Sequence, residues 1–207
     1  WSHKQMAKAG FSWLWVSIPA TVAAVALVVL AAPLEQTLGI NMRMIYLHGT
    51  WVWASLVLFA TAALLAAVWL FRRRDALYCW MKAISRIALL FWLLYLPQSL
   101  MVMKANWGGF YFSEPRWQVP MTFAIIGILL QIGLALINNK RLTAAGIILY
   151  VLALFWRILS LQSVLHPDSP IQQSNSLPMQ LFFLVLFFLI YALGVQVSAL
   201  LCRQDRR

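Results

Sequence analysis

Six long apolar runs, separated by short polar gaps, organise this chain. The first spans about Phe11 to Ala32 and stops at Pro33, and the second spans about Met44 to Phe71 and stops at Arg72-Arg73-Arg74. The third covers Ala83 to Met103 and the fourth Met121 to Ile137, before Asn138-Asn139-Lys140-Arg141. The fifth covers Leu142 to Leu161, and the sixth Pro178 to Leu201, followed by Cys202-Arg203-Gln204-Asp205-Arg206-Arg207. Each run is near the roughly 20 residues that a helix needs to cross a hydrocarbon core of about 30 Å. Runs this long predict helices, because a lipid-embedded backbone must satisfy its own hydrogen bonds. The expected fold is all-α: one six-helix transmembrane domain over residues 1–207, with outer-face loops at 33–43, 104–120 and 162–177. No internal repeat is visible, and 169–176 reads as an ordinary polar loop.

Composition sharpens this picture. The 207 residues are 63% hydrophobic and 10% charged, with a mean hydropathy of +0.82. A soluble domain carries about 25% charged residues, and six spans leave no room for one here. The net charge of +11 does not indicate nucleic acid, because the charges punctuate the apolar runs. Lys4, Lys8, Arg72, Arg73, Arg74, Lys82, Arg86, Lys140, Arg141, Arg203, Arg206 and Arg207 fall on one side; Arg43, Lys104, Arg116 and Arg157 fall on the other. The positive-inside rule therefore predicts that both termini are cytoplasmic, in a bacterial-type inner membrane. The beginning does not read as a cleavable signal peptide, its apolar stretch being too long. Cys79 and Cys202 fall in segments assigned to the reducing side, far apart and without a CxxC or CxxCH pattern. No disulfide and no covalent haem attachment is expected from them.

Candidate chemistry lies in the longer outer gaps. His48 stands at the outer entrance of the second run, and His166 just past the fifth, in Leu165-His166-Pro167-Asp168. A neutral imidazole is a good iron ligand, and two from different helices can complete the coordination of a haem b iron. Asp168 is then a candidate partner for the ring nitrogen left over. The competing reading makes each histidine a polar tip at the headgroup level. Zinc is disfavoured, since its sites use three or four protein ligands. Between the histidines runs Asn106-Trp107-Gly108-Gly109-Phe110-Tyr111-Phe112-Ser113-Glu114-Pro115-Arg116-Trp117. Its glycines and proline imply a shaped turn, and its rings can lie against a porphyrin. Arg43, Arg116, Lys104 and Arg157 can pair with propionates, the arginines better than the lysine; the bland alternative is a headgroup contact. Interfacial anchoring accounts for Trp13, Trp15, Trp69, Trp80 and Trp92.

These segments resemble a known family. Arg43…Tyr46-Leu47-His48, the Trp107–Arg116 loop and Leu165-His166 are similar to the haem-handling proteins of cytochrome c biogenesis, the WWD-domain proteins of the CcmC and CcsA type. Their signature reads approximately WGxWWxWDPR. Trp107, Gly108, Pro115 and Arg116 keep it, while Phe110 and Tyr111 replace two tryptophans, Ser113 a third, and Glu114 the aspartate. The resemblance covers the six-span plan and the motif order. It implies haem ligation by His48 and His166 on the outer face, beside a loop that presents haem to a partner. Loss of three tryptophans weakens or retunes that surface.

Three functions remain open on these grounds. One is a haem-binding protein that presents haem for cytochrome c maturation to a periplasmic acceptor or cytochrome. Another is a haem-bearing subunit of an electron-transfer complex with other membrane subunits, and a third is a structural subunit without cofactor. No residue constellation points to catalysis: Ser113 and Glu114 have no histidine at motif spacing. A solute carrier is weaker, because polar residues within the runs are few: Gln98 beside Pro97, Gln131 and Gln196. Pro97-Gln98 either kinks the third span and opens room under the aromatic loop, or is a proline tolerated in a packed helix.

Overall fold

The computed structural model describes residues 3–161, 171 and 174–204, with side chains from Trp13 onward. The described residues form six helices: α1 (His3–Leu30), α2 (Asn41–Arg72), α3 (Asp75–Trp107), α4 (Pro115–Ile137), α5 (Lys140–Leu159) and α6 (Leu177–Gln204). Each is long and apolar enough to cross a membrane, so the chain is an all-helical, multi-pass membrane protein. Successive helices alternate in direction. The 72–75 and 137–140 turns therefore share a basic end with the start of α1 and the end of α6, and the 31–40 and 108–114 segments share the opposite, loop end with the end of α5 and the start of α6.

Most helices outrun the apolar runs that announce them. α3 begins eight residues before Ala83 and continues to Trp107, and α4 begins at Pro115 rather than Met121. Polar residues at a membrane surface can stay helical because water serves the last turns. The first two loops at the loop end are correspondingly shorter than 33–43 and 104–120. The ends themselves follow local rules. Gly108 closes α3 in the left-handed conformation (φ 75°) and donates its N–H to Lys104 O, a conformation glycine adopts without strain. Pro115 opens α4, where its missing N–H costs nothing. The Asn139 side chain caps α5 by accepting from Arg141 N at 2.9 Å and Leu142 N at 3.1 Å.

α2 and α3 form the spine of the bundle. α2 packs along α3 and also against α5 and α6; α1 leans on α6, and α4 on α3 and α5. Ala54, Ala62 and Ala66 of α2 are fully buried, and small side chains at such seams let backbones approach. Gly127 and Gly194 do the same. A Cβ on Gly194 would lie 2.6 Å from Leu58 Cδ1, and one on Gly127 would lie 2.7 Å from Leu89 Cδ1 and 2.9 Å from the Tyr150 hydroxyl. Buried hydroxyls find partners within their own helix: Thr50 donates to Tyr46 O, Ser55 to Trp51 O and Ser198 to Gly194 O. The three glutamines do not form a midplane solute site. Gln131 donates to Ser85 O across α4 and α3, Gln196 to the Thr21 hydroxyl across α6 and α1, and Gln98 to Leu94 O within α3.

One expectation is overturned. Cys79 and Cys202 are joined as a disulfide, 123 residues apart in sequence, with their Cα atoms 5.4 Å apart. The first turns of α3 and the last turn of α6 meet at the basic end, so distance along the chain says nothing about distance in space. Both cysteines are buried beside Trp80, Ala83 and Leu201. Trp69 and Trp92 also depart from interfacial anchoring, being 3% and 1% exposed in the core. Trp13 and Trp15 remain on the outside of α1.

Candidate functional site

The loop end of the bundle holds a cavity of about 470 Å³, within the roughly 300–1,000 Å³ typical of small-molecule and cofactor sites. Two helical stripes build most of it. On α2, Ile45, His48, Gly49, Val52 and Leu56 recur at spacings of three and four, and on α3 Trp92, Tyr95, Ser99, Val102, Asn106 do the same, flanked by Met103 and Trp107. Residues so spaced share one helix face. The start of α4 adds Glu114, Arg116, Trp117 and Pro120, and Phe183 of α6 completes one side.

His48 is half-buried, in the second turn of α2, with its ring 5.7 Å from that of Tyr95. Tyr95 stands edge-on to Trp92 at 4.7 Å, and the Trp92 indole N–H donates to Pro120 O at 3.0 Å. This buried chain fixes the floor beneath the imidazole and ties α3 to α4. His48 thus reaches the cavity together with Trp107, Glu114, Arg116 and Trp117, although these lie about 60 residues or more away in sequence.

The aromatic loop divides into two parts. Trp107 and Trp117 line the cavity, whereas Gly108, Phe110 and Tyr111 do not. Gly108 makes the turn. Tyr111 is pinned by its N–H to Met103 Sδ at 2.9 Å and by its hydroxyl to Trp107 O at 3.2 Å. Phe110 and Phe112 stack at 6.0 Å, and Phe112 meets Trp117 edge-on at 5.1 Å. Phe110, Tyr111 and Phe112 are all substantially exposed, so they form an outer aromatic face behind the cavity wall. Among the other cations, Lys104 lies over Phe110 at 5.8 Å, Arg157 donates to the Ser160 hydroxyl at 3.3 Å, and Arg43 does not line the cavity.

Glu114 is the most telling polar residue of the site. It occupies the N-cap of α4, yet its carboxylate makes no capping bond and is only 3% exposed. Its Oε1 is buried without a hydrogen-bond partner, as are Trp117 Nε1 and Asn106 Oδ1 on the same cavity. Buried polar atoms are normally paired, so Glu114, Trp117 and Asn106 stand out as cavity-lining residues that each keep one unsatisfied polar atom. The wall is otherwise largely apolar, and it carries one Lewis-basic imidazole and one guanidinium. His166 and Asp168 lie outside the described residues. Among the described residues, no three His, Cys, Asp or Glu side chains cluster to hold a metal ion.

Trp92, Tyr95 and Ser99 are site residues that sequence reasoning misses. Their three- and four-residue spacing above the aromatic loop is a signal that can find them, but buried core helices show the same period.

The described residues define a six-helix membrane protein with a cavity at its loop end. No family model matches the chain. It is similar to a protein of the liverwort Marchantia polymorpha described as a "Putative cytochrome c biosynthesis ccmC-like mitochondrial protein", with 25% identity over 187 residues that cover 88% of this chain and 78% of the relative.

Proposed function

We propose that this protein is a haem-handling membrane protein of the CcmC type, which holds haem at the loop end and presents it for cytochrome c maturation. The observation that carries this reading is the single cavity in which His48 meets Trp107, Glu114, Arg116 and Trp117. These residues suit the group: an imidazole for the iron, indole and phenol rings for the macrocycle, and a guanidinium for a propionate. Haem would supply a ligand-accepting, redox-active iron, and His48 and His166 are the residues that would hold it. Tyr95 and Trp92 hold the His48 ring in place. Arg116 and Trp117 Nε1–H, both donors on one helix turn, serve the acidic edge. The excess of basic residues at the other end sets the orientation, with the loop end extracytoplasmic, where an acceptor cytochrome or partner subunit docks on the Phe110–Phe112 face. Similarity to a ccmC-like protein over most of the chain agrees with this assignment.

The test is haemin titration of the purified protein. Saturable growth of a Soret band with resolved α and β bands on reduction is expected, followed by transfer to an apocytochrome. A titration without saturation refutes haem binding. Haem that stays bound and cycles redox without transfer refutes handing-on and favours an electron-transfer subunit.

A further inference from the structure

Resting on the haem reading, a second feature of the same site indicates how the ligand gets in. A groove of about 460 Å³ runs between α2 and α6 and adjoins the cavity, sharing Trp53, Ile171 and Phe183 with it. Its far rim is Leu181, Leu184 and Phe187 of α6. Leu181 and Leu184 are 52% and 47% exposed, on the flank of a bundle whose surroundings are lipid. From Leu177 at the start of α6 to Phe187 is about 15 Å along the axis, half of a core about 30 Å thick. The groove therefore opens into the leaflet at the loop end.

The side chains of Trp53 and Phe183 border both spaces. The Phe183 ring lies on the backbone of α2 at Gly49, the residue after His48, where a Cβ would come 3.2 Å from Phe183 Cε2. Trp53, the other aromatic of the partition, is 42% exposed and so faces lipid as well as the cavity. Rotating such side chains is a fast motion, whereas parting two packed helices breaks a long seam. A flat, mostly apolar macrocycle gains by remaining in hydrocarbon rather than crossing water. Its acidic edge would meet donors at Arg116 and Trp117 on arrival.

We propose that the cavity is loaded sideways from this leaflet, through the α2–α6 groove, with Trp53 and Phe183 as the gate and the haem macrocycle as the occupant. Leu181→Trp and Leu184→Trp each fill the groove from positions that do not line the cavity. The full-length protein is reconstituted in phosphatidylcholine vesicles, haemin is added by rapid mixing, and the Soret shift is followed; affinity is measured separately at equilibrium in detergent. Each plug is expected to slow uptake in vesicles about tenfold, equivalent to about 1.4 kcal/mol on the barrier, and to leave the final spectrum and equilibrium affinity unchanged. Trp53→Ala, which opens the partition, is expected to speed uptake. If both plugged variants melt like the wild type and load at its rate, the lateral route is refuted while haem binding stands. A wild-type protein that shows no saturable Soret band removes the haem reading and the route together.

Discussion

Replacing His48 with alanine separates the site's chemistry from its packing. His48 lies inside α2, where alanine favours the helix over histidine by about 0.5–0.7 kcal/mol. Against that gain stands the loss of its ring contact with Tyr95 at 5.7 Å, worth about 0.5–1.5 kcal/mol. Tyr95 keeps its edge contact with Trp92, and Trp92 its hydrogen bond to Pro120, so the floor survives. The two terms nearly cancel, and the melting temperature in detergent should barely move. Ligation is another matter. Loss of an outer partner alone costs a metal site about 10–100-fold, so loss of the ligand itself should weaken haem binding by at least about 100-fold, or about 2.7 kcal/mol. Haemin titration and thermal unfolding are followed side by side, and free imidazole, small enough for the vacated space, should restore part of the Soret band. A His48→Ala protein with wild-type affinity and spectrum would refute the ligand assignment. One that loses binding only because it melts would show that the ring serves packing instead.

Other outcomes can be checked independently. Gly127→Ala puts a Cβ 2.9 Å from the Tyr150 hydroxyl, whose ring is held between Phe59 and Phe123 and bonded to Phe123 O at 2.9 Å; overpacking should cost about 1–3 kcal/mol, seen as a lower melting temperature, and a higher one would contradict the α4–α5 seam. Cys79→Ser removes the link between α3 and α6 and should destabilise the oxidised protein by about 2–4 kcal/mol, with no change in the reduced protein; prompt maleimide labelling of both cysteines in the native, unreduced protein would show that the bond is absent. Glu35 accepts from Thr37 N and Leu38 N at 2.9 and 2.8 Å, and these N–H groups hold its carboxyl below the usual carboxylate range. Its contribution to the 33–40 turn should be complete above the ordinary glutamate value and vanish as pH falls through the lowered one; protection of the Leu38 amide against exchange, taken relative to the intrinsic rate at each pH, should fall through this window, and protection that stays constant or rises in acid would refute the turn. Asp75→Asn breaks an exposed pair with Lys140 at 2.8 Å and should shift stability by less than about 1 kcal/mol in a chemical denaturation series; a larger loss would mean that this contact organises the basic end.

The chain by itself determined the membrane, the number of spans and their alternation, because hydrocarbon excludes unpaired backbone groups and charge, and that exclusion is written residue by residue. It also marked His48 and the 106–117 stretch, since polar and turn-forming residues are conspicuous between apolar runs. Helix ends were less legible: Asp75, Trp107 and Pro115 extend helices through polar sequence that water at the surface tolerates. Only the folded bundle decided which marked residues share one space. Trp107, Glu114, Arg116 and Trp117 join His48, whereas Phe110 and Tyr111 turn away on the outer face and Arg43 stays off the cavity. That choice depends on how α2, α3 and α4 rotate about their own axes, which side-chain packing across the seams sets and no periodicity encodes. The same packing brought Cys79 to Cys202 across 123 residues and placed Phe183 against Gly49, because proximity between helices is a property of the assembled bundle and not of any one segment.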